Sequence, residues 1–165
     1  MNTTLRRAAV IAASTAITTV GLASSAVAQS WTYTFQGAEA VCDFPLVVTG
    51  SGGDHRVNRE FRDKAGNLRV FSAGKGQDLT FTNDVTGASF STPANGAVTR
   101  TTYRPDGSST GVLTGHNVIL LYPSDAGGPS ATLYTGQVVV TVDTHNRMTV
   151  VKESGRTVDL CAQVS

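Results

Sequence analysis

Three histidines are the side chains best suited by type to move a proton or hold a metal: His55, His116 and His145. None stands at metal-ligand spacing from another, and no HExxH motif occurs, so neither a metal nor a cofactor is expected. His145 follows Asp143 in a turn, and His55 follows Gly52-Gly53-Asp54 at the start of a strand. Both read as solvated imidazoles. His116 is more interesting, lying between Gly115 and Asn117 beside the apolar run Val118 to Leu121. A general base needs a visible partner, and none is adjacent, so a buried, hydrogen-bonded structural histidine is the preferred reading. A hydrolase would have to bring an Asp and a Ser to His116 from distant strands.

Two further patterns carry little chemistry. Gly74-Lys75-Gly76 places a lysine between glycines, yet the P-loop spacing and the helix after it are missing, and the segment reads as a hairpin turn. Asp78 and Asp84 flank one strand and form a carboxylate pair only if the fold brings them together. No catalytic residue is assigned on these grounds, and the chain is not expected to be an enzyme.

The two cysteines depend on compartment for their meaning. Residues 1–28 have the parts of a secretory signal peptide: Arg6 and Arg7, an apolar stretch from Ala8 to Leu22 diluted by Ser and Thr, and the small-x-small site Ala26-Val27-Ala28. Cleavage between Ala28 and Gln29 is expected, leaving one secreted domain over residues 29–165. The stretch is too short and polar for a bilayer core, which needs about 20 apolar residues, so the mature chain carries no integral membrane segment. In an oxidising compartment, Cys42 and Cys161 read as one disulfide. Such a bond joins the chain's two ends. By closing more than 100 residues it contributes up to about 4–5 kcal/mol in the chain-entropy model.

Charge excludes one class of partner. The chain holds 13 Lys plus Arg against 12 Asp plus Glu, and removal of Arg6 and Arg7 leaves 11 against 12. A near-neutral domain has no long-range field for nucleic acid or anionic membrane. Arg56, Arg59, Arg62 and Lys64 are offset locally by Asp54, Glu60 and Asp63, as on a solvated strand face.

The elements that position these residues are strands. Trp31-Thr32-Tyr33-Thr34-Phe35, Leu79-Thr80-Phe81-Thr82 and Val138 to Val142 alternate with the strand period of two. Gly, Asp and Asn punctuate them, in Asp63-Lys64-Ala65-Gly66-Asn67, Asn83-Asp84-Val85-Thr86-Gly87, Asp106-Gly107, Asp143-Thr144-His145-Asn146 and Glu153-Ser154-Gly155. Pro123 to Pro129 reads as a surface loop, and Gly111 and Gly115 mark a bend within Ser109 to Tyr122. Nine to twelve strands joined by short turns predict an all-β, antiparallel up-and-down meander. Exposed edges favour a closed or nearly closed β-barrel; a β-sandwich is the alternative.

Five segments carry a resemblance: Ala40-Val41-Cys42-Asp43-Phe44-Pro45-Leu46, 74–83, Val98-Thr99-Arg100-Thr101-Thr102-Tyr103, Gly115-His116-Asn117-Val118 and Tyr134-Thr135-Gly136-Gln137-Val138-Val139. Through them the chain resembles a group of small secreted actinomycete-type bacterial proteins with no assigned function. The resemblance implies secretion and a single β domain, and no catalytic residues.

The expected function is therefore a non-catalytic binding module for a small apolar or cell-envelope ligand, which in a barrel needs a cavity of a few hundred Å3. The alternative is an exported protein–protein interaction module.

Overall fold

The structure is a computed structural model and describes residues 30–165. The proposed cleavage site at Ala28 and Gln29 lies at and beyond that boundary, outside the described residues. Ten strands follow one another: β1 (Trp31–Phe35), β2 (Leu46–Ser51), β3 (His55–Arg62), β4 (Leu68–Lys75), β5 (Asp78–Asn83), β6 (Ser89–Thr92), β7 (Gly96–Tyr103), β8 (Ser109–Leu121), β9 (Ser130–Val142) and β10 (Met148–Asp159). A 3-10 turn at Gly37–Glu39 follows β1, and a single-turn helix α1 (Leu160–Gln163) closes the chain.

All the strand ladders are antiparallel, as the sequence predicts. They form a four-stranded sheet, β1-β2-β5-β6, and a six-stranded sheet, β10-β9-β8-β7-β4-β3. No ladder among the described residues joins one sheet edge to another. Of the two architectures weighed, the chain adopts two sheets and not the closed barrel.

The reason lies at three corners. Strand β2 runs into β3 through Gly52-Gly53-Asp54, β4 into β5 through Gly76-Gln77, and β6 into β7 through Pro93-Ala94-Asn95. Ser51 faces Asp78 before the first corner and His55 faces Lys75 after it, so three residues oppose two, as in a bulge that bends a ladder. Leu79 faces Thr92 and Lys75 faces Gly96, so the next pair crosses with its register intact. The meander persists while its long strands turn from one layer into the other. Gly74-Lys75-Gly76 belongs to such a corner and is not a hairpin turn; glycine at a corner and at a hairpin tip leaves the same mark in the sequence.

A second bend crosses the larger sheet. Gly74 faces Ala97, Ala97 faces Gly115, Gly115 faces Gly136 and Gly136 faces Gly155. The four glycines have φ of +143, +94, +143 and +107°, and a Cβ on any of them would run into the backbone of the neighbouring strand. A row of this kind creases a sheet. Before it, Leu113, Val138 and Val140 join one buried cluster with Met148 and Val150. Beyond it the sheet is covered on both faces. Ile119 and Tyr134 stay with that cluster, whereas Leu120 and Leu133 join Leu46, Val48 and Phe81 of the smaller sheet.

The ends meet as the cysteine count predicts. Cys42 and Cys161 are disulfide-bonded with Cα atoms 5.6 Å apart across 119 residues of sequence. Leu160 and Val164, beside Cys161, are fully buried against Val41 and the core of the smaller sheet. The surface loop after β8 is tied down through buried Asp125, whose carboxylate accepts from the N–H groups of Tyr122 at 2.7 Å and Met148 at 2.8 Å.

Candidate functional site

At the seam of the two sheets the corners enclose a partly open cleft of about 130 Å3. Trp31 enters it from β1, Arg56 from β3, Gln77 and Asn95 from the corners, and His116 and Asn117 from β8. Leu79, Leu113, Val118 and Leu133 supply apolar wall. These residues are far apart in sequence and meet because long strands turn at one level.

Trp31 faces Gly50 across the β1–β2 ladder, and its indole lies where a Cβ on Gly50 would be. Glycine there lets the ring rest on the strand. Trp31 Nε1 donates to Gln77 Oε1 at 2.6 Å, and Gln77 Nε2 donates to the Gly52 carbonyl at 3.0 Å. One glutamine thereby fixes the ring to the corner. Arg56 Nε donates to Asp54 Oδ1 at 2.9 Å and Oδ2 at 3.0 Å. The guanidinium holds the Asp54 carboxyl below its ordinary range, against the opposing effect of burial, and Asp54 in turn raises the Arg56 pKa. The cleft therefore presents a neutralised pair rather than a bare cation.

Asn95 Nδ2 donates to the Pro93 carbonyl and lies 3.2 Å from His116 Nδ1. An amide nitrogen only donates, so Nδ1 is the acceptor and the neutral ring carries its proton on Nε2. Asn117 Nδ2 is buried and has no hydrogen-bond acceptor among the described residues. A buried donor left unmatched costs about 1–3 kcal/mol, and Asn117 is one of the residues that line the cleft.

Neither the family models, the curated proteins nor the solved structures contain a match to this chain. The site is read from its own geometry.

His116 corrects one expectation: it is exposed, not buried, because the crease turns it to the rim of the seam. Its side-chain partner is an amide, so the carboxylate–imidazole–hydroxyl relay of a hydrolase is not assembled around it. His55 and His145 are exposed as expected, with His145 Nδ1 4.0 Å from Asp143. Asp78 opens β5 and Asp84 follows its last residue, so the two stand at opposite ends of the strand and do not pair. Among the described residues no group of three or more His, Cys, Asp or Glu could hold a metal ion, and no helix is long and apolar enough to cross a membrane.

Two features correct or extend the sequence expectations, the first of them against the expectation that no GxSxG elbow occurs. Gly107-Ser108-Ser109-Thr110-Gly111 has the GxSxG spacing of a serine elbow. It runs from a hairpin tip into β8 with no helix after it, and Ser109 is only 8% exposed. The elbow that presents a nucleophile is a strand-to-helix turn, so the match is one of letters. Asn117 is the second: it draws no notice beside His116, because burial of its amide depends on strands whose arrangement the sequence leaves open.

Proposed function

We propose that this chain is a secreted, non-catalytic binding module that seats the oxygen-bearing end of a small ligand, of the cell-envelope kind, in the seam cleft. The observation that carries the reading is the unmatched, buried Nδ2 of Asn117, a residue that lines the cleft with Trp31 and apolar side chains, so that a turn of its amide would bring a donor to a ligand oxygen. A ligand end combining a ring or short alkyl body with one acceptor satisfies both. About 130 Å3 holds one ring, close to the roughly 150 Å3 of a cavity that takes benzene, and less than an enclosed apolar ligand in a barrel requires. The rest of the ligand stays outside. Secretion accords with the disulfide, since such bonds persist in oxidising compartments, and with the signal-like N-terminal residues. Likeness to the secreted actinomycete-type proteins belongs to the same proposal.

The test is a titration of isotope-labelled protein followed by NMR at the Asn117 side-chain amide and the Trp31 indole N–H. The probes are benzamide and N-acetylglucosamine, which join a ring to a carbonyl, with benzene as the control lacking an acceptor. Benzamide or the sugar should move both resonances at millimolar concentration, a range suited to fragments, and Asn117→Leu should abolish the shift. If neither probe moves Asn117, or if Asn117→Leu leaves the response intact, the reading fails.

A further inference from the structure

Strand β3 is an edge of the six-stranded sheet, paired with β4 on one side and with no strand among the described residues on the other. The hairpin tip tells which of its peptide groups face outward. Asp63 N–H donates to the Asn67 carbonyl at 3.0 Å. By antiparallel alternation, Phe61, Arg59 and Val57 then bond inward to β4, whereas Arg62, Glu60, Asn58 and Arg56 present N–H and C=O to the open side. The Arg56 N–H obeys that parity, reaching the side chain of Asp54 rather than β4.

Read with Asp54, the alternate residues of this edge run Asp54, Arg56, Asn58, Glu60, Arg62. Turned antiparallel about Asn58, the run is complementary to itself. Arg56, which also holds Asp54 of its own chain, meets Glu60 of a second copy, Asp54 meets its Arg62, and Asn58 meets Asn58 on the two-fold axis. The neighbouring registers that keep the outward groups aligned set like charges face to face. One step to one side puts Arg59 on Arg59 and Arg56 on Arg62; one step to the other puts Asp54 on Glu60. Charge along an edge ordinarily blocks strand addition, and like charges directly opposite one another destabilise a ladder. Here the pattern admits a single register.

The other face of the strand supports the same pairing. Val57 is 60% and Phe61 58% exposed, two of the few large apolar side chains left open to solvent. In the Asn58-centred register Val57 lies beside the alkyl part of Arg59 of the second copy and Phe61 beside its His55. Both are covered.

We infer that the protein associates with a second copy of itself by antiparallel pairing of β3, centred on Asn58, into a two-fold dimer whose larger sheet is continuous across the axis. A contact of one strand per copy is small, so the dimer is weak, and its exposed ion pairs make it salt-sensitive.

Light scattering on the disulfide-bonded protein over a concentration series tests this. At low salt the mass should double as concentration rises, and added salt should shift the midpoint upward. Asn58→Pro removes an outward N–H that serves no bond to β4, a position where an edge strand tolerates proline, and should leave the protein monomeric. Glu60→Arg sets Arg against Arg56 while keeping every N–H, and should weaken the dimer about tenfold or more. It carries the test alone if Asn58→Pro disturbs the fold by circular dichroism. A protein that stays monomeric at millimolar concentration and low salt overturns the inference, as does a dimer that Glu60→Arg leaves unchanged.

Discussion

Asn83 Nδ2 donates to the main-chain carbonyl of Val164 at 3.1 Å, joining the end of β5 to the last turn of the chain across 81 residues of sequence. The same side chain shapes its own turn, its Oδ1 accepting from Val85 N at 2.9 Å and Thr86 N at 3.3 Å. A single buried amide therefore organises a hairpin tip and anchors the C-terminal segment that carries Cys161.

Asn83→Ala strands the Val164 carbonyl and the turn N–H groups together. Each unmatched buried group costs about 1–3 kcal/mol, so the substitution should lower the unfolding free energy by at least that much. Val85→Ala, at an exposed position in the same turn, should change it by less than about 0.5 kcal/mol. Urea titration of the disulfide-bonded protein compares the two.

The glycine row predicts a sharp contrast between positions. Alanine at Gly115 or Gly136 adds a Cβ that meets neighbouring backbone and forces an L residue to positive φ. Each should destabilise by about 1–3 kcal/mol or more. Gly96→Ala meets no atom within 4 Å and should be nearly neutral. Similar melting temperatures for all three variants would show that the sheet does not depend on the crease.

Acid should loosen the hairpin tips before it reaches the core. Hydrogen bonds, from Asn67 above all to Asp63 and from the Arg147 N–H to Asp143, lower both carboxyls from 3.8 to about 2. Each folded pKa lies below its unfolded value, so the stabilisation is complete above about pH 4 and is lost as the pH falls through 2. Both groups are partly open to solvent, so the effect per tip is modest. Melting temperatures recorded from pH 5 to pH 2 should decline less steeply in Asp143→Asn than in the parent protein.

Much of this architecture was legible from local chemistry. Val138, Val140 and Val142 announce a strand with one buried face, and the first two are buried. Asp63, Asp106 and Asp143 mark hairpin tips because a short carboxylate can accept from N–H groups two residues on. Cys42 and Cys161 find each other as their count and setting require. What stayed hidden depends on register. Gly74, Gly115, Gly136 and Gly155 look like isolated flexible points until the ladders align them, and Gly76 looks like a turn until its flanking strands prove to lie in different sheets. The cleft was illegible for the same reason. Trp31, Gln77 and Asn117 each look ordinary in their own segments and meet only through three corners.

The corners have a kinetic consequence. Because β3 continues β2, β5 continues β4 and β7 continues β6, every ladder joins stretches that follow one another along the chain. Loop closure is then incurred one strand pair at a time, although the pairs Leu46–Asn83 and Leu68–Tyr103 still join residues distant in sequence, the kind of contact that slows assembly. Two of the longest ties in sequence sit at the C-terminal end: the Cys42–Cys161 bond and the Asn83–Val164 hydrogen bond. The strands can pair hairpin by hairpin, and the final residues act as a latch that ties the chain's far end back to β5 and to Cys42.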